Sequence, residues 1–503
     1  MKKLMTLVLL LSFTLSFAQQ SPKREFRGAW IHTVGNQQFK NMSTDSVKQL
    51  FIKTLDNFTK AGINAVIFQV RPQADAFYKS ELEPWSRFLS GTQGVAPAQE
   101  WDPLQFMIEE SHKRGMELHA WCNPYRVTSN DTEQLHPDHL YFKKPEIFKK
   151  YGKQLYFDPG EPEAIEHTVK VIADIVTRYD LDAIHFDDYF YPYPIAFEEF
   201  HDDASFVKYA QKQGFEYWQK ADWRRNNVAT LIKELNDTIK AIKPWVRFGI
   251  SPFGIHRNLK DTPDGSGSKT NGLSNYEQLF ADVPSWLEKG WIDYNVPQIY
   301  WKIGHPAADY KTLIEWWSEK NFGGQLYIGQ NISTFNEADL DNPEKTQFEA
   351  KMRMVRTLPN VHGNVWWPGW SINANPFGFT DSLSATYQKH PALIPAYTQL
   401  DSTAPVAVTK VTFKGGVISW SHPLLGSADA EKMQEPQFFA VYRFPEGVNP
   451  DIANSDYLLK VVDTNNLRLD RQSGKKVKYT YIVTAIDRCR NESLPSKPVK
   501  VSY

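Results

Sequence analysis

Between Phe26 and about Tyr397, short apolar or β-branched runs alternate with amphipathic stretches. The runs are Phe26–Thr33, Asn64–Arg71, Glu117–Asn123, Ala183–Asp188, Val246–Ser251, Ile292–Tyr300, Gln325–Asn331 and Gly363–Trp370. Short apolar runs bounded by polar turns read as buried strands. The stretches Asp45–Lys60, Pro103–Arg114, Pro162–Tyr179 and Trp223–Ile242 carry their apolar residues at helical spacing. Strands alternating with helices in this number predict an α/β fold closed into a parallel (β/α)8 barrel. An open doubly wound sheet would want a glycine-rich phosphate loop after its first strand, and Trp30–Asn36 does not supply one. At roughly 375 residues the segment is long for a barrel, so insertions are expected, at 128–160 and 191–222, over the C-terminal rim.

Near Asp401 the period changes. Ser402–Pro405 reads as a linker. Beyond it the runs Thr409–Phe413, Val417–Ser421, Phe438–Phe444, Leu458–Val462, Lys478–Asp487 and Val499–Tyr503 alternate with a period of two. Trp420 sits as a core anchor and Tyr479–Ala485 forms a strongly alternating strand, a pattern that resembles a fibronectin type III sandwich. At the other end, Lys2 and Lys3 precede the apolar run Leu4–Phe17 and a small-residue site at Ala18. This is the form of a Sec-type secretory signal peptide, and no cysteine follows it for a lipid anchor. The expected organisation is a signal peptide at 1–18, the barrel at 24–398 and the sandwich at 404–503, exported to the periplasm or beyond, with no transmembrane segment.

Composition narrows the partner. The net charge is −1 and the basic residues form no stripe, which argues against nucleic acid. Two cysteines, Cys122 and Cys489, fall in different expected domains, so neither a disulfide nor a cysteine metal site is expected. No metal and no other cofactor is called for. Aromatics are 14% of the chain, with 16 Trp and 23 Tyr, which tilts the reading toward a carbohydrate partner because flat rings stack on sugars.

In such a barrel, chemistry sits at the C-terminal strand ends and the loops that follow. Those positions hold His32, Gln69, Arg71, Asn123, Tyr125, Arg126, Asp187, Asp188, Tyr189, Ser251, His256, Gln298, Tyr300, Trp301, Gln330, Trp366 and Trp367. The fourth strand, Ile184–Pro192, is the sharpest signal. Alternation turns His185 and Asp187 inward, and Asp188 falls where the strand ends. Adjacent carboxylates repel, so one should keep a proton near neutral pH, as a general acid must. Asp75 and Asp158 are further carboxylates near the rim, Asp158 being equally suited to a helix cap.

Longer motifs carry a resemblance. Arg27–Trp30, Gln69–Pro72, His119–Tyr125, Phe186–Pro192, Asp222–Val228, Gly249–Gly254 and Pro297–Trp301 are similar to motifs of the glycosyl hydrolase-like 10 family, over about 24–390. The resemblance implies a secreted or periplasmic bacterial barrel glycosidase acting on a polysaccharide. The sequence does not give the oligomeric state, and a monomer is the favoured expectation. A divisome-associated relative acts on peptidoglycan strands stripped of peptides, so an N-acetylated cell-wall glycan is implied. The inward positions His185, Asp187 and Tyr189 depart from the Asp-x-Asp-x-Glu strand of chitinase-like barrels.

Two schemes survive. In one, the sugar's N-acetyl oxygen attacks, Asp187 orients the amide, Asp188 protonates the leaving oxygen and Tyr300 steadies the acetamido group. In the other, Asp188 is the acid and Asp75 activates water. His32, Gln69, Arg71, Asp75, Trp121, Asn123, Tyr125, His185, Tyr189, Gln298, Trp301, Gln330, Trp366 and Trp367 are expected to bind sugar. A non-catalytic glycan-binding barrel is the alternative function. A metal-dependent deacetylase is disfavoured because His256 and His305 lack ligand spacing, and an esterase because no G-x-S-x-G elbow occurs.

Overall fold

The computed structural model describes residues 21–36, 39–320, 322–426, 432–469 and 477–502. The expected signal peptide lies outside them.

Eight parallel strands close into a barrel: β1 Phe26–Ile31, β2 Ala65–Arg71, β3 Glu117–Cys122, β4 Ala183–Phe186, β5 Arg247–Ile250, β6 Tyr294–Asn295, β7 Gln325–Asn331 and β8 Val361–Trp367. Each pairs with its sequence neighbours, and β1 closes the ring against β8. Both faces of these strands are buried, which is why the sequence shows continuous apolar runs there. The helices include α1 Thr44–Ala61, α2 Pro103–His112, α3 Pro162–Arg178, α4 Lys220–Ile242, α5 Val283–Glu288, α6 Tyr310–Glu319 and α7 Phe348–Thr357. Local chemistry sets their ends. Ser43 caps α1 by accepting from Ser46 N, and Gly62 ends it in the left-handed region at φ 76°. Asp102 caps α2 ahead of a proline at its first turn.

The sixth strand is shorter than its apolar run. Regular pairing covers only Tyr294–Asn295, and the chain then follows the wall through single bridges from Gln298 to Phe253 and Gly329. Pro297 interrupts the ladder because it has no N–H to give.

The two rim insertions pack on each other. A hairpin joins Phe148–Tyr151 to Gln154–Phe157, and its Tyr151 hydroxyl accepts from Ile195 N and donates to Glu198 O.

The barrel interior is aromatic and polar. Phe26 stacks on Tyr327 with centroids 3.9 Å apart, and Tyr294 lies beside both. A side chain at Gly249 would come within 2.0 Å of the Tyr294 ring, so glycine there makes room for that tyrosine.

Beyond the barrel, β9 Thr409–Lys414, β10 Val417–Ser421 and β13 Asn466–Arg468 form one antiparallel sheet. The strands β11 Phe438–Pro445, β12 Leu458–Val462, β14 Lys478–Ile486 and β15 Val499–Ser502 form a second, in the order β12-β11-β14-β15. Trp420, Phe439, Val441 and Val483 fill the space between the sheets. The opposite face of the second sheet is buried too: Phe438, Ala440, Tyr442 and Ile482 pack with Leu393 of the barrel segment. This sheet covers the N-terminal end of the barrel. Arg490 reaches Glu117 and Asp182 there, Gln437 reaches Asp182 at 2.9 Å, and Arg24 donates to Arg490 O at 2.9 Å.

Cys122 and Cys489 are both buried free thiols. No helix among the described residues is long and apolar enough to cross a membrane.

Candidate active site

A cavity of about 250 Å³ opens at the C-terminal end of the barrel. Its lining includes Trp30, His32, Gln69, Trp121, Arg126, Asp187, Asp188, Tyr189, Tyr193, Ser251, Gln298, Tyr300 and Trp367. Asp187 and Asp188 are its carboxyl groups.

These two side chains follow directly on β4, and both are nearly fully buried. Asp187 is held by two donors. Trp121 Nε1 donates to Oδ2 at 3.0 Å, and Asn123 Nδ2 donates to Oδ1 at 3.0 Å. Asn123 has its oxygen committed elsewhere, accepting from Tyr125 N and Arg126 N at 3.3 and 2.8 Å, so only its amine is left for the carboxylate. Burial raises the Asp187 pKa, while Arg126 and the two donors pull against the rise. Asp188 accepts a close bond from the Tyr193 hydroxyl, and the Gln298 amide also pulls against the rise in its pKa. Burial first, and the charge on Asp187 second, push Asp188 up to about 7.

The two neighbours therefore differ in surroundings. Asp187 sits in a cage of N–H donors. Asp188, pushed up to about 7, lines the cavity, an arrangement suited to holding a proton near neutral pH.

Aromatic rings frame the pair. Tyr189 and Tyr193 meet edge to face at 5.4 Å, and the Arg126 guanidinium lies 4.9 Å from the Tyr189 ring. Trp367 packs 4.8 Å from His32 and 6.2 Å from Trp121. Burial lowers the His32 pKa to about 4, so it faces the cavity neutral. Gln69 accepts from Thr33 N and Val34 N at 2.9 and 2.8 Å, and its Nε2 has no partner among the described residues. That leaves a buried donor in the wall of the cavity. The Tyr300 phenol is held well above its ordinary pKa by burial and by Asp188, so it stays a donor.

Several expected sugar contacts lie elsewhere. Arg71 is fully buried in an ion pair with Glu83 and donates to Asn123 O. A register shift between Gln69 and Arg71 interrupts the alternation that would have kept both on one face. Asp75 is fully buried outside the cavity lining, with Gln93 Nε2 at 3.3 Å, and cannot serve as a rim base. Tyr125 is buried behind the rim, and Gln330 is spent on Asn364. Trp301 packs edge to face on Phe253 at 5.4 Å. Trp366 points outward from the barrel, among Phe348 and Phe379. His185 and Asn123 do not line the cavity but hold groups that do. Asp158 binds Gly160 N and Ser205 and stays structural.

Sequence reasoning missed Trp30 and Tyr193. Trp30 belongs to the motif Arg27–Trp30, and Tyr193 follows the acidic pair in an aromatic run, Tyr189–Tyr193, interrupted only by Pro192. That continuation was the available signal.

Comparison with known proteins gives relatives by sequence and by structure. A sequence model of the family described as glycosyl hydrolase-like 10 matches residues 25–347. Glycosyl hydrolase YngK of Bacillus subtilis is 44% identical over 494 residues, covering 95% of this chain and 94% of the relative. Glycosyl hydrolase DigH of Escherichia coli K12 is 38% identical over 374 residues, covering 69% of this chain and 83% of the relative. Among solved structures, the PgaB (BpsB) glycoside hydrolase domain of Bordetella bronchiseptica aligns over 73% of this chain and 99% of that one, at a TM-score of 0.47 and 10% identity.

Proposed function

The chain belongs to the glycosyl hydrolase-like 10 family and is a glycosidase, and on that premise we propose that it cleaves O-glycosidic bonds in an N-acetylated bacterial glycan of the peptidoglycan type. The observation that carries this reading is the composition of the cavity: two adjacent carboxyls and, among the described residues, no third. Ordinary retaining and inverting schemes need a second carboxyl across the scissile bond, at about 5–5.5 or 6.5–9.5 Å. Adjacent residues on one strand end do not straddle a sugar. The nucleophile is then supplied by the substrate, and an acetamido oxygen is the group placed to do it.

In this scheme Asp188 gives its proton to the leaving oxygen while the acetamido oxygen bonds to the anomeric carbon. Asp187 accepts the acetamido N–H and offsets the positive charge that develops on the ring formed. Asp188, now a carboxylate, takes a proton from water as it opens that ring, which regenerates the acid and retains the configuration. Tyr300 donates to the acetamido group, and Trp121 and Trp367 offer faces to the sugar.

The apolar run Leu4–Phe17 ahead of Ala18 supports export to where such a glycan is found. The strand orders β9-β10-β13 and β12-β11-β14-β15 support a fibronectin type III-like reading of the C-terminal sandwich.

The test is a product assay with wild type beside Asp188→Asn, on peptide-free peptidoglycan strands and a panel of other polysaccharides. New reducing ends, read by mass spectrometry, are expected from the N-acetylated strands alone and lost in the variant. Cleavage of a glycan lacking acetamido groups would overturn the substrate-assisted scheme. Binding without new ends on any glycan would favour the binding-barrel alternative.

A further inference from the structure

A row of hydrogen bonds runs through the barrel interior from the end covered by the sandwich to the bottom of the cavity. Arg490, carried just beyond β14, donates to Glu117 Oε1, as does Arg247 at 2.7 Å. Glu117 Oε2 lies 2.9 Å from His119 Nε2, and His119 Nδ1 lies 2.8 Å from the Tyr294 hydroxyl. That hydroxyl is 3.1 Å from His185 Nδ1. His185 Nε2 is 3.0 Å from Ser251 Oγ and 3.2 Å from Trp30 Nε1. Ser251 and Trp30 both line the cavity.

The direction of this chain follows from its ends. An indole N–H only donates, and a carboxylate held by two guanidiniums only accepts. His185 Nε2 must then carry the lone pair and Nδ1 the hydrogen. Tyr294 accepts from His185 and donates to His119 Nδ1, and His119 Nε2–H donates to Glu117. Both rings are neutral, since burial lowers both pKa values. The Ser251 hydrogen points into the protein, at His185 Nε2 or at Phe186 O 3.3 Å away, which leaves its lone pairs toward the cavity. Were Glu117 to protonate and donate, the chain would reverse. Trp30 Nε1–H and His185 Nε2–H would then face each other, donor to donor.

We propose that Arg490 is a positioning residue of the cavity: together with Arg247 it keeps Glu117 the terminal acceptor, and so orders the chain in one direction, fixes the Trp30 indole and presents Ser251 Oγ to the glycan as an acceptor for a sugar hydroxyl. The inference rests on the glycosidase reading of the same cavity.

The test uses the full chain labelled with 15N-histidine, in wild type, Arg490→Gln, Arg490→Lys, Tyr294→Phe and the Arg490→Gln/Tyr294→Phe double variant. Long-range proton–nitrogen spectra report the ring tautomers, and kcat and KM are measured well below the melting temperature. Wild type should show hydrogen on Nδ1 of His185 and on Nε2 of His119. Arg490→Gln should mix both tautomers and lower kcat about 5- to 10-fold with KM within about 2-fold, and Arg490→Lys should restore both readouts. Because Arg490 acts through Tyr294, the double variant should be no slower than Tyr294→Phe alone within about 2-fold. Fully multiplied losses, or unchanged tautomers in Arg490→Gln, would overturn the proposal. Should no glycan be turned over, the substrate reading fails separately, and the tautomers alone decide the chain.

Discussion

Asn123 offers Asp187 its amide nitrogen at 3.0 Å because its oxygen is already taken by two backbone N–H groups of the loop that follows β3. The loop geometry thus decides which end of the amide meets the carboxylate. Replacing Asn123 by Asp keeps the acceptor and turns the donor into a second negative charge. A hydrogen bond to a charged group is worth about 1.5–3 kcal/mol, so kcat should fall at least about 10- to 100-fold while the circular dichroism spectrum is unchanged. An unaltered kcat would remove Asp187 from the chemistry.

The pH dependence follows from Asp188. In the proposed scheme it acts as an acid only while protonated, and its pKa is pushed up to about 7, so kcat/KM should fall as pH rises through about 7. Tyr193 donates to this carboxyl and so favours its ionised form. Tyr193→Phe should raise the Asp188 pKa and move the basic limb upward, by up to about one pH unit. A limb that stays in place, or moves down, would mean that another group sets it.

Asp75 makes the contrasting case, a carboxyl pushed up to about 7 by burial with no access to substrate. Its folded pKa lies above its unfolded value near 4. The stability it contributes is therefore complete below about pH 4 and is lost as pH rises through 7. Asp75→Asn removes that loss. In urea melts the variant should match wild type near pH 4 and exceed it at pH 8 by a few kcal/mol, since each pKa unit is about 1.4 kcal/mol. Loss of turnover with no gain in stability would return Asp75 to the rim.

Trp366 and Trp367 are adjacent but face opposite ways. Trp366→Ala should cost about 3–5 kcal/mol of stability through the cavity it leaves among Phe348 and Phe379. Trp367→Ala should raise KM severalfold and leave the melting temperature within a few degrees. Thermal melts and substrate titrations on the two variants separate these outcomes, and a reversal would misassign the strand's faces.

The same pair shows what was readable in the sequence. Where a strand and its helix each bury one continuous face, as in β2 or α3, periodicity gave their positions to within a residue or two. The acidic pair just after β4 was legible because two adjacent carboxyls at a strand end conflict with burial. Which face of a strand end meets the cavity was not legible wherever the ladder is irregular. A bulge separates Gln69 from Arg71, and parity alone divides Trp367 from Trp366. Arg71 looked like a sugar ligand because its partner, Glu83, lies twelve residues away in an irregular loop. Strand β13 escaped notice because Asn466–Arg468 is too short and too exposed to leave an apolar pattern.

Both faces of the second sandwich sheet are covered, one by its sister sheet and one by the barrel. The sandwich is therefore not a free pendant on a leash. Contacts such as the ion pair of Arg488 with Asp180 set it against the end of the barrel remote from the cavity. Whatever the outer sheet adheres to would hold the molecule like a lamp on its base, with the mouth aimed away from the attachment and open to strands arriving from the other side.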